Sequence, residues 1–69
     1  MDLPQAKTIL EAPFAQLEAV VAATAFVLDT LATPSRRRLY DDLPPEYREG
    51  YLLALIKDHE LQQLDKATQ

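Results

Sequence analysis

No cysteine occurs in this sequence, which removes disulfides, thiolate nucleophiles and cysteine-ligated metals as explanations for anything it does. One histidine, His59, is present, and a structural zinc site takes four nitrogen or sulfur ligands. No cofactor or metal is therefore expected. Long apolar runs are missing too. The most apolar stretch, residues 19–28, is bounded by Glu18 and Asp29 and reaches roughly half of the ~20 residues that a bilayer crossing needs. The start, Met1-Asp2-Leu3-Pro4, carries an acid where a secretory signal wants bases. A cytoplasmic protein with no membrane segment is the expectation. Basic residues are also in deficit: seven Lys and Arg stand against eleven Asp and Glu, a net charge of −4. An acidic chain repels phosphate, so nucleic acid is not the expected partner.

Glycine is nearly absent, at Gly50 alone, whereas proline occurs five times, at Pro4, Pro13, Pro34, Pro44 and Pro45. Between the prolines lie helix formers, and nothing alternates with period two, so helices and no strands are expected. Four segments result, at about 4–11, 13–32, 34–41 and 45–65. Pro4 falls in the first turn of the first. Pro13 either starts or kinks the second, because it lacks an N–H and crowds the carbonyl four residues back. Thr33-Pro34 ends that helix and caps the next. Pro45 takes the first position of the last helix, with Glu46 at the positive end of its dipole. Residues 66–69 are expected to fray.

The apolar residues of the main helix form stripes. Leu10, Phe14, Leu17, Val21, Thr24, Leu28 and Leu31 are spaced alternately four and three apart, a heptad seam that wants another helix against it. The opposite side carries Ala15, Ala19, Ala22, Ala23 and Phe26. A helix apolar on both sides is buried on both sides. In the last helix, Tyr51, Leu52, Leu55, Ile56 and His59 fall within an arc of about 140°, while Leu53, Leu61 and Leu64 lie on another side. A helical hairpin with a short connecting helix matches one stripe to the other and leaves the rest uncovered.

Length sharpens that problem. The 69 residues make one small helical domain, 1–69, which buries only about 60% of its unfolded surface when alone. Without disulfide or metal, association is the remaining source of stability. The expected architecture is all-α, two hairpins packed as a four-helix-bundle-like dimer. Its interface is expected to include Phe14, Leu17, Val21, Thr24, Leu28, Leu31, Leu53, Leu61 and Leu64. A larger protein complex is the other partner that satisfies the same need.

Three groups of polar residues bear on function. Arg36, Arg37 and Arg38 are the basic run, able to grip an acidic partner through forked donors and placed where they also complement the negative end of the main helix. His59 lies in the apolar arc, where a histidine could also take part in binding a partner. It is expected to be structural, since no serine or threonine stands within a turn of it to serve as a nucleophile. Asp41/Asp42 and Glu46/Glu49 flank a proline turn and read as caps and solvated surface. A general acid needs a dry pocket. No enzyme is expected. The function these features suggest is a protein–protein interaction module, an accessory or regulatory subunit.

Two short resemblances point to an alternative. Leu43-Pro44-Pro45-Glu46-Tyr47-Arg48-Glu49 resembles the opening of region four in bacterial extracytoplasmic-function sigma factors, although His59-Glu60-Leu61-Gln62-Gln63-Leu64 follows instead of a basic recognition helix. Pro45-Glu46, Gly50-Tyr51-Leu52, His59 and Leu61, with Pro34, are similar to positions in the theta subunits of bacterial DNA polymerase III. The acidic charge and alanine-rich main helix depart from that pattern. The alternative reading is a regulator of a transcription or DNA-bound complex that uses Arg36 to Arg38, whereas the theta resemblance by itself implies a helical accessory subunit.

Overall fold

The Asp2 carboxylate opens the first helix: its Oδ1 accepts a hydrogen bond from the Gln5 N–H at 2.8 Å, satisfying a donor that the helix itself cannot. In the computed structural model, residues 1–68 are described, with side chains through 66. They form α1 (Leu3–Glu11), α2 (Leu17–Leu31), α3 (Pro34–Asp42) and α4 (Pro45–Thr68). The chain is 83% helical, and no strand occurs among the described residues.

Proline sets three of the four starts. Pro4 lies in the first turn of α1. Pro34 opens α3, and the Thr33 hydroxyl accepts from the Arg36 N–H at 3.2 Å, the cap expected from the sequence. Pro45 opens α4. The second helix is different from the expected 13–32. Ala12, ahead of Pro13, is extended at φ −71°, ψ 126°, as the proline ring demands of the residue before it. Gln16 is extended as well, and α2 starts only at Leu17. Pro13 and Phe14 occupy a turn between the two helices. The heptad seam therefore does not run through Phe14 as one helix. At the other end α4 continues to Thr68, beyond the expected 65, with Lys66 favourably placed in its last turn. Gln69 lies outside the described residues.

The core is Ala6, Leu10, Ala23, Val27, Leu28, Leu52, Leu55 and Ile56. It draws on α1, α2 and α4, so the short first helix is a full member of the core and not a lead-in to a two-helix hairpin. Ala6 and Leu10 are one turn apart and face inward together. The small Ala6 and Ala23, both with no exposed surface, let the helix backbones approach closely.

Pairings across the core fix the directions. Lys7 meets Glu60 at 3.3 Å, Leu3 lies with Leu64 and Leu10 with Leu52, so α1 and α4 are antiparallel. The third helix returns the chain from the end of α2 to the start of α4. It buries no residue. Its attachments are polar and aromatic: Arg36 to Asp58 at 3.7 Å, Arg37 to Asp29 at 3.0 Å, the Tyr51 hydroxyl donating to the Arg36 carbonyl at 3.3 Å, and the Tyr40 and Tyr51 rings 6.5 Å apart.

Candidate interaction surfaces

The nine residues expected at an interface divide by place in the fold. Leu28 is 6% exposed and belongs to the chain's own core. Leu31 and Leu53 are half-buried against it. Thr24 is half-buried and lines a cleft of about 250 Å³ with Leu10, Tyr40 and Leu52. The other five remain in solvent. Phe14 is 94% exposed, Leu17 77% and Val21 59%, with Leu61 at 52% and Leu64 at 62%.

The cause is position along the elements. Leu17 lies on the same side of α2 as Leu28, three turns on, but at the start of the helix, where no neighbour covers it. Val21 sits one turn further on the same face. Phe14 stands on the Pro13 turn just ahead of them. All three are exposed apolar side chains in the turn before α2 and its first turns. Leu61 and Leu64 occupy the far half of α4, toward the other end.

A second feature lies at that other end. The start of α1 and the last turns of α4 enclose an open cleft of about 370 Å³, lined by Leu3, Pro4, Ile56, His59, Gln63 and Leu64, with Glu60 at its margin. Most of its wall is carbon. His59 is half-buried in that wall, so the histidine of the apolar arc borders a cleft. No sequence signal joins Leu3 to Leu64. Their meeting follows from the antiparallel pairing of α1 with α4.

Two arginines of the run form surface ion pairs within the chain. Arg36 and Arg37 reach back to α4 and α2 through the ion pairs already described. Arg38 is exposed and makes no hydrogen bond or ion pair among the described residues. A basic residue outside the run has the larger structural part. The Arg48 guanidinium donates to the Leu43 carbonyl through Nε and to the Asp41 carbonyl through Nη2, both at 3.1 Å, and lies 5.5 Å from the Tyr40 ring centroid. It thereby satisfies carbonyls left unpaired at the end of α3 and adds a cation–π contact.

The carboxylates Asp41, Asp42, Glu46 and Glu49 are all exposed. Among the described residues no cluster of three or more acidic, histidine or cysteine side chains could hold a metal ion. None of the described helices is long and apolar enough to cross a membrane. No protein-family model matches the chain, and no curated protein or solved structure matches it either.

Proposed function

We propose that this protein is a helical interaction module that acts as an accessory or regulatory subunit and associates with a second copy of itself. It is not read as an enzyme: its single histidine has no nucleophile beside it, and its carboxylates are solvated. The observation that carries the reading is surface. The chain exposes 5129 Å², whereas a compact monomer of 7.8 kDa exposes about 4,400 Å². The surplus of roughly 700 Å² is close to the ~800 Å² that each partner contributes to a standard interface. The exposed large apolar side chains include Phe14, Leu17, Val21, Leu61 and Leu64, and apolar patches on soluble proteins mark contact sites.

Light scattering at micromolar concentration tests the proposal. A mass of two chains is expected, with a melting temperature that falls on dilution, as mass action requires of a folded dimer. A mass near 7.8 kDa with a melting temperature indifferent to dilution overturns self-association. The alternative, a DNA-bound regulator gripping acidic groups through Arg36 to Arg38, gains no support from an arginine run in which two members pair within the chain.

A further inference from the structure

The molecule carries an apolar projection and an apolar recess. Phe14 stands almost wholly in solvent on a turn, held there by the proline before it and by the end of α1 at Glu11, two residues before that proline. The cleft between the start of α1 and the end of α4 is open and carbon-lined. The two are separated by the length of α1, nine residues or about 13 Å. Phe14 therefore has no route to the cleft of its own chain while α1 stays helical.

We infer that Phe14 of one copy seats in the α1/α4 cleft of a second copy. The inference rests on the self-association proposed above and specifies which surfaces meet. A contact between two Phe14 turns covers the projection but leaves the recess and Leu64 in water. A contact between two clefts leaves Phe14 uncovered. Turn into cleft covers both. A ring of this kind buries about 150–250 Å², and the cleft's 370 Å³ lies within the range of recesses that hold a compact apolar group. Ile56, Leu3, Pro4 and Leu64 supply the wall. Used reciprocally about a two-fold axis, the pair gives a closed dimer in which each copy both donates a ring and receives one.

Complementation between variants tests this. Phe14→Asp removes the projection and Leu64→Lys places a charge on the cleft. Both side chains are exposed in the single chain and lie outside its core, so circular dichroism at low temperature is expected to show both variants helical, each melting below the parent by the stability that association adds. Sedimentation velocity is then run at one concentration on the parent, on each variant alone, and on an equimolar mixture of the variants. The expected result is that the parent associates, each variant alone sediments as a single chain, and the mixture recovers a two-chain species. Recovery occurs through one of the two reciprocal contacts, because the Leu64→Lys copy keeps its ring and the Phe14→Asp copy keeps its cleft, while at the other contact the introduced acid of one copy meets the introduced base of its partner. Persistent self-association of either variant at the parent's strength overturns the inference, as does a mixture that stays single-chain. A parent that is itself a single chain under the same conditions overturns the self-association reading, and the contact falls with it. The two failures are thus told apart by the parent sample.

Discussion

Gly50 lies in the second turn of α4, and a Cβ built on it meets no atom within 4 Å. Close helix approach is therefore not what keeps a glycine there. Replacing Gly50 with Ala is expected to raise the unfolding free energy by about 0.5–1 kcal/mol, the ordinary gain from removing a flexible residue from a helix interior. A urea midpoint that rises without a change in slope checks it. Leu28 sits at the opposite extreme, inside the core and packed with Val27, Leu52 and Ile56 as members of one cluster. Leu28→Ala removes transfer energy and leaves a cavity, so a loss of about 2–5 kcal/mol is expected. For a unit this small that approaches the whole stability. The same measurement at fixed protein concentration reads both changes, which should have opposite signs.

Among the elements, α3 is the least secured. It contributes no fully buried side chain, only the half-buried Tyr40 at the margin of the core, and its two ion pairs are exposed, a class of contact worth ~1 kcal/mol or less each. Its amides are expected to exchange with deuterium faster than those of 52–56 in α4, and faster still when salt screens the pairs with Asp29 and Asp58. Equal protection across α3 and the core would show that its aromatic contacts with Tyr51 dominate. The starts of α3 and α4 were readable from the sequence, because a capping threonine and a proline act locally. The start of α2 was not. The apolar spacing runs unbroken through Phe14, yet the backbone demand of Pro13 on Ala12 outweighs a pattern that only packing could reward. Nor was the burial of α1 readable. A nine-residue helix enters the core through just Ala6 and Leu10, and what buries them is α2 and α4, far along the chain. The candidate surface was half readable for the same reason. Phe14, Leu17 and Val21 were apolar on inspection, whereas the cleft exists only once Leu3 is brought to Leu64.

At the scale of the whole molecule, shape and charge act on association in opposite directions. The radius of gyration is 12.4 Å, against about 11 Å for a compact chain of this length, because the 24-residue α4 spans most of a molecule 39 Å long and 17 Å across its thinnest direction. Each copy also carries a net charge of −4, so two copies repel as they approach. That repulsion is long-ranged and screened by salt, with a Debye length of about 30 Å at 0.01 M and 10 Å at 0.1 M. Burial of phenylalanine and leucine, by contrast, is not an ionic interaction and is not weakened by screening. Raising salt from about 0.01 to 0.1 M is therefore expected to tighten self-association, read as a lower dissociation constant by sedimentation or dilution calorimetry. An interface built on Arg36 to Arg38 against the carboxylates of a second copy predicts the reverse, because screening removes its attraction. Association that weakens as salt rises across this range would thus assign the contact to the arginine run and displace the apolar surfaces from it.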